Sequence, residues 1–179
     1  MMDCDLKALK QLVEQAVKTA GETAYQESPF DSKSHPLAFI RRLQPVVEET
    51  VQKSMEMDVK VTLTVADATG QMVYCYRMPG CILAGLEISN KKAYTSVAMG
   101  EETIVLQKLC QPGADLYQLE TITDGKIVTF GGGVPVYDTR ETLIGAVGVS
   151  GAPKSSQDHE LASFFAYHFQ QTFFSDEKG

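Results

Sequence analysis

The chain has 179 residues, of which 44% are hydrophobic and 22% are charged, and its formal net charge is −7 at pH 7. This length and composition predict one globular domain with an appendage, and the acidic balance argues against nucleic-acid binding, which needs Lys and Arg to neutralise phosphates. Because no apolar run reaches the roughly 18 residues of a bilayer span and the acidic start is unlike a secretory signal, we expect a cytoplasmic protein without membrane partners.

An amphipathic helix is predicted within residues 1–24. Apolar side chains recur at helical spacing along residues 5–20 and form one stripe. An isolated helix of this length is marginal in water, so the stripe is expected to pack on its own domain, on a sister subunit or in the groove of a partner. Residues 25–44 predict a linker followed by a short helix. The stripe comprises Leu6, Leu9, Leu12, Val13, Ala16, Val17 and Ala20.

The main domain is predicted over residues 45–175. Proline is tolerated in the first turn of a helix, so a helix is expected to begin at Pro45 and to run to about Met57. Alternation of apolar and polar residues then predicts two strands, at 59–66 and 71–77, which a short turn joins into a hairpin.

Two helices, three strands and a final helix are predicted for the rest of the domain. Gly100 separates the two helices, and the final helix begins at Ser155 with capping-box spacing to Asp158. Sequential hairpins dominate and no βαβ repeat occurs, which predicts an α+β fold with helices flanking an antiparallel sheet. The predicted elements are helices at 84–99 and 101–110, strands at 126–130, 134–137 and 142–150, and a final helix at 155–174.

Several stretches of this domain resemble the GlcG/HbpS-like family, which includes the C-terminal domain of PduO and the OrfY-type proteins. The resemblance extends from about Val59 to Phe174. It departs from the family pattern at Pro79, where an acid is usual, and residues 1–44 have no counterpart in the minimal domain. The stretches that carry it are Val65–Gly70, Tyr76–Gly80, Lys92–Thr95, Phe130–Pro135, and Ile144–Pro153 followed by Asp158.

The resemblance implies a profilin- or PAS-like fold, in which helices flank a five-stranded antiparallel sheet, and assembly into homo-oligomers. Some members of the family bind haem, and others accompany glycolate oxidation or the use of propanediol and glycerol. No shared reaction defines the family, so the resemblance specifies the fold more closely than the function.

One stripe of the predicted helix at 84–99 mixes apolar, cationic and hydroxyl side chains. Lys92 would supply the counter-charge for an anionic, partly apolar ligand, haem propionates included, in a pocket beside this stripe. The alternative is a subunit interface or a solvated surface. The stripe comprises Ile88, Lys92, Thr95 and Met99, and the opposite stripe, expected to contact the core, comprises Leu86, Asn90, Ala93 and Val97.

The loop at 131–135 is expected to roof this pocket. Its glycines let the backbone approach closely, and its N–H groups would form an anion cradle; the alternative is a kink between two short strands. None of the histidines has metal-ligand spacing, so haem is expected to be held without histidine, with Tyr94 or Thr95 supplying oxygen. The loop comprises Gly131, Gly132, Gly133, Val134 and Pro135, and the histidines are His35, His159 and His168.

These features predict a non-catalytic, oligomeric protein that binds haem or a related tetrapyrrole, because no nucleophile or acid–base constellation stands out. The alternative is a non-catalytic accessory protein of a cobalamin-dependent diol or glycerol dehydratase. That protein would contact the dehydratase, or a microcompartment component, through residues 1–20. Either function is expected in the bacterial cytoplasm, with the second associated with a microcompartment.

Overall fold

The computed structural model describes residues 37–174. The predicted N-terminal helix and its partner contacts lie outside these residues, as does most of the predicted linker. The described chain has the α+β architecture expected from the sequence. Its elements are α1 (Ala38–Glu56), β1 (Thr62–Asp67), β2 (Met72–Arg77), α2 (Gly85–Met99), α3 (Thr103–Leu109), α4 (Leu119–Ile122), β3 (Gly133–Tyr137), β4 (Leu143–Ser150) and α5 (Ser155–Phe174).

The described sheet has four antiparallel strands in the order β2-β1-β4-β3. The predicted strand at 126–130 is not among them, so the expected count of five strands is not confirmed within residues 37–174. Side-chain oxygens accept hydrogen bonds from the backbone N–H groups that a strand would use for pairing. Val128 N donates to Thr95 Oγ1 at 2.9 Å, and Thr129 N donates to Glu120 Oε1 at 3.0 Å. Because these N–H groups are already satisfied, the segment gains nothing from a sheet partner.

Helix α1 runs through Pro45 instead of beginning there, which corrects the predicted helix start. A proline inside a helix costs about 3 kcal/mol. Leu43, Val46 and Val47 are all buried, and burying such side chains contributes roughly 1.5–3 kcal/mol each. Burial therefore outweighs the cost of the proline, and α1 continues through it.

Helix α2 lies unusually close to the sheet because small residues meet at their contact. A Cβ atom at Gly148 of β4 would lie 1.9 Å from the carbonyl oxygen of Ser89, and the Ser89 hydroxyl lies 2.9 Å from that of Thr64 in β1. The predicted core stripe is wrong except at Ala93, since Leu86 is 40% exposed and Asn90 and Val97 are only half-buried. The buried residues of α2 are Gly85, Ser89, Lys92, Ala93, Thr95 and Ser96.

Helix α5 matches its predicted span and packs against β3, β4 and α1. Leu161, Phe165 and Phe169 are fully buried along it. Side chains alternate between the faces of a strand, so Val147 and Val149 of β4 point away from Gly148 and from α2, and α5 covers this second face. No helix in residues 37–174 is long and apolar enough to cross a membrane.

Candidate functional site

Lys92 lies inside the protein, where it links the two helical layers. Its side chain has no exposed area. The Nζ atom donates to Asp158 Oδ2 at 2.8 Å and to the carbonyl oxygen of Val149 at 2.9 Å, and it lies 4.8 Å from the centroid of the Phe130 ring. This lysine on α2 is therefore the partner of a carboxylate in the first turn of α5, whereas the sequence suggested that it would be the counter-charge of a ligand.

Burial dominates the electrostatics of this ion pair. It lowers the pKa of Lys92, against the attraction of Asp158. It raises the pKa of Asp158, and Lys92 together with the backbone N–H groups of Ala152 and Gly151 opposes that rise. Ala152 N donates to Asp158 Oδ1 at 2.9 Å, so both carboxylate oxygens accept a hydrogen bond. A buried pair of this kind is strongly destabilised when one partner is removed.

The glycine loop packs directly on Lys92. A Cβ atom at Gly132, whose φ is +124°, would lie 2.8 Å from Lys92 Nζ and 2.5 Å from the carbonyl oxygen of Val149. A Cβ atom at Gly133 would lie 2.4 Å from the carbonyl oxygen of Lys92. The structure thus brings the loop and the lysine together but leaves no cleft between them. Val134 and Pro135 continue from the loop as part of β3.

Thr95 is also fully buried, and its hydroxyl group is fully used. The Oγ1 atom donates to the carbonyl oxygen of Lys91 at 2.7 Å and accepts the Val128 N–H at 2.9 Å. It therefore ties the segment at 126–130 to α2, and it does not face a ligand site as the sequence suggested.

A surface pocket of about 390 Å³ lies beside the C-terminal end of α2. Two of the residues predicted from the sequence, Tyr94 and Met99, line it. Ile88, Lys92, Thr95 and the 131–135 loop do not. The pocket is lined by Tyr94, Ala98, Met99, Leu119, Ile122, Thr123, Asp124, Lys126 and Ile127.

The two walls of the pocket are held differently. On one side, the ring of Tyr94 lies on the β1–β2 turn, where a Cβ atom at Gly70 would come 2.9 Å from its Cδ2 atom. On the other side, the Thr123 hydroxyl donates to the carbonyl oxygen of Leu119 at 2.8 Å and accepts the Ile127 N–H at 3.3 Å. The Thr95 bond to Val128 then joins this second wall to α2.

The lining combines an apolar floor with a few polar groups. The lining includes three polar groups, namely the phenol of Tyr94, the carboxylate of Asp124 and the ammonium of Lys126. It also includes Ile122, a large apolar side chain that is 75% exposed. Binding sites for small molecules typically have this composition, with hydrophobic walls and a small number of orienting polar groups. The arrangement suits an amphipathic ligand that carries an acidic group.

Comparison with known proteins identifies the family. Residues 40–165 match the family model described as haem-degrading protein HbpS-like. The chain belongs to the HbpS-like family. This HbpS-like chain is 36% identical over 137 residues to the corrinoid adenosyltransferase PduO of Salmonella typhimurium, a match that covers 76% of the chain and 40% of PduO. It therefore corresponds to less than half of that relative, and the resemblance predicted from the sequence is confirmed.

Solved structures show the same fold. A crystal structure of a PduOC:heme complex has a TM-score of 0.67 at 36% identity and covers 72% of the HbpS-like chain and 91% of its own. The ORFY protein of Klebsiella pneumoniae has a TM-score of 0.69 at 31% identity, with coverages of 78% and 96%.

The sequence of the HbpS-like chain held little sign of the second pocket wall. The stretch at 111–125 shows no clear periodicity, and Lys126 and Ile127 were interpreted as part of a strand. Asp158 was interpreted as a helix cap, although its capping-box position three residues after Ser155 is also that of a carboxylate held close to backbone N–H groups.

Proposed function

We propose that this protein binds haem or a related tetrapyrrole in the pocket formed by Tyr94, Met99 and the 119–127 segment. The observation that carries the proposal is the lining of the pocket, where an aromatic hydroxyl, a thioether, an ammonium and a carboxylate accompany apolar side chains. A volume of about 390 Å³ lies within the usual range of small-molecule sites, roughly 300–1,000 Å³. The relative crystallised as a heme complex, 36% identical to this chain, supports the same ligand class.

The residues present fit this ligand chemically. Met99, Ile122 and Ile127 offer apolar contact to a macrocycle, and Lys126 offers a cation to a propionate. Tyr94 and Met99 carry oxygen and sulfur atoms of the kinds that ligate haem iron in proteins. Bound haem would supply a redox-active iron centre, and the chain would orient it and shield part of its surface from water.

Titration of haemin into the purified full chain tests the proposal. We expect a shifted Soret band that saturates at one haem per chain. Ile122→Glu should weaken binding at least about tenfold, because it introduces a charge into apolar contact area. Met55→Glu is the matched control, since it makes the same kind of change at an exposed side chain of α1 outside the pocket. Absence of any Soret shift, or equal affinities of the two variants, would reject the pocket.

Self-association is part of the proposed function, supported by an exposed apolar cluster that precedes and begins α2. Ile82, Leu83 and Leu86 are 56%, 73% and 40% exposed, and clustered exposed apolar side chains mark interaction surfaces. We expect Leu83→Asp to lower the mass measured by light scattering without changing the circular dichroism spectrum of the folded protein. An unchanged mass would exclude this cluster as the interface. The accessory role at a dehydratase gains no support from residues 37–174, and contact through residues 1–20 stays a prediction.

A further inference from the structure

We propose that Tyr94 is the iron ligand in the pocket and supplies a phenolate oxygen to ferric haem. This inference rests on the proposed function. Haem iron takes its protein ligand from a group that lines the pocket and has a free lone pair.

Histidine, the commonest haem ligand, is absent from the described lining. Both described histidines lie on α5 and have other neighbours. His159 Nε2 is 3.7 Å from Glu102 Oε2, and its Cβ atom lies against the backbone of Gly131. His168 Nδ1 is 3.1 Å from Glu49 Oε2 of α1. Among residues 37–174, the side chain that ligates iron in this pocket is therefore not a histidine.

The remaining polar groups of the lining differ in how well they suit ferric iron. The Thr123 hydroxyl is already used in two hydrogen bonds, and a protonated Lys126 has no lone pair to donate. Asp124 is an exposed carboxylate in the turn after α4, where water competes for it. The thioether of Met99 is a soft donor, which suits the ferrous state better than the harder ferric ion.

Tyr94 has the geometry that a ligand residue needs. It lies in the third turn of α2, a rigid helix packed on the sheet. The backbone of Gly70 supports its ring through a contact that any larger residue would block. Among residues 37–174, no group hydrogen-bonds the Tyr94 hydroxyl. A half-buried, positioned phenol with an unused hydroxyl is thus available at the pocket.

Coordination would follow simple chemistry. The phenol releases its proton to solvent as its oxygen forms a bond to ferric iron, and the iron keeps its oxidation state. Lys126, on the same lining, would offset part of the negative charge that the phenolate adds.

Spectroscopy of haemin-loaded full-chain protein distinguishes the outcomes. For the unmodified protein we expect a high-spin ferric absorption spectrum with tyrosinate vibrational bands in resonance Raman. Tyr94→Phe keeps the ring on Gly70 but lacks the oxygen, so it should lose these bands and bind haemin about tenfold more weakly. Tyr167→Phe, at an exposed tyrosine of α5, is the matched control and should retain both properties.

The results separate this inference from the proposed function. If Tyr94→Phe binds haemin with the same spectrum and affinity as the unmodified protein, Tyr94 is not the ligand, while binding in the pocket stands. If the unmodified protein shows no Soret shift, both ideas fail. Circular dichroism spectra that coincide for the two tyrosine variants would show that misfolding does not cause the difference.

Discussion

Replacing Lys92 by methionine tests the buried ion pair most directly. The substitution keeps a long flexible side chain in place but removes the ammonium group from Asp158, 2.8 Å away. It also removes the hydrogen bond to the carbonyl oxygen of Val149. Since both side chains are almost wholly buried, water cannot replace the lost partner.

The expected loss is large because a carboxylate would remain buried without its counter-charge. Breaking a buried pair in this way typically costs about 3–5 kcal/mol, a substantial part of the roughly 5–15 kcal/mol that stabilises most domains. The Ala152 N–H still binds Asp158 Oδ1, which moderates the loss but does not neutralise the charge. Changing both partners, in Lys92→Met with Asp158→Leu, should recover much of it, because apolar replacement of a whole buried pair is often nearly neutral.

The pH dependence of Lys92→Met has a definite sign. Burial raises the pKa of Asp158 above its ordinary 3.8, and Lys92 is the largest opposing influence. Without Lys92 the folded-state pKa rises further, so the folded state holds the Asp158 proton more tightly than the unfolded chain does. The contribution of Asp158 to stability is then greatest below pH 3.8 and is lost as the pH rises through the folded-state pKa. The destabilisation relative to the unmodified protein should therefore be larger at pH 7 than at pH 4.

Urea unfolding monitored by circular dichroism at these two pH values measures the effect. Lys91→Met is the matched control, since it removes the neighbouring lysine, which pairs with the exposed Glu87 at the surface of α2. That variant should change stability little at either pH. A Lys92→Met variant that loses less than about 1 kcal/mol, or loses the same amount at both pH values, would show that no buried carboxylate depends on this lysine.

Three further variants test the loop, the wall and the pocket. Gly132→Ala should cost more than about 2 kcal/mol in chemical unfolding, because its φ of +124° and its contact with Val149 exclude a Cβ atom; Gly113→Ala, with open space around it, should cost less, and equal losses would contradict the close packing. Thr95→Val should cost about 1–3 kcal/mol by leaving the Val128 N–H unpaired, whereas Thr95→Ser should keep most of the stability; a stable Thr95→Val would contradict this role. Lys126→Gln should weaken haemin binding about two- to fivefold, as for an exposed ion pair, without changing the binding of haem dimethyl ester; an equal loss for both ligands would exclude a propionate contact.

Much of the fold could be predicted because local patterns determine it. The hairpin of β1 and β2, the buried strand β4 and the span of α5 follow from alternation, turn residues and helical spacing. The strand predicted at 126–130 failed because the partners of its N–H groups are side chains outside the segment, and alternation carries no information about them. The start of α1 failed because the burial that compensates for Pro45 is a tertiary effect.

The site was harder to predict because residues that are usually exposed to solvent are buried in it. A lysine on a helix normally reaches the solvent, and only Asp158, 66 positions further along the chain, makes burial of Lys92 tolerable. The small residues of α2 looked too polar for a core, yet they are buried because glycines in β4 and in the 131–133 loop admit the helix backbone. The role of a residue in α2 thus depended on the missing side chains of these glycines as much as on its own chemistry.

The same geometry explains why binding is expected at one end of α2 and not at its centre. Lys92 and Thr95 share a stripe with Met99, but the glycine loop covers the first and the 126–130 segment covers the second, whereas Met99 lines the pocket. A ligand at Lys92 would have to displace the loop and separate a buried ion pair, at a cost of several kcal/mol. A ligand at Met99 and Tyr94 meets side chains that are already partly exposed and displaces only water. The cation available to an acidic ligand is therefore Lys126, and the buried charge of Lys92 serves to hold in place the helix on which the pocket is built.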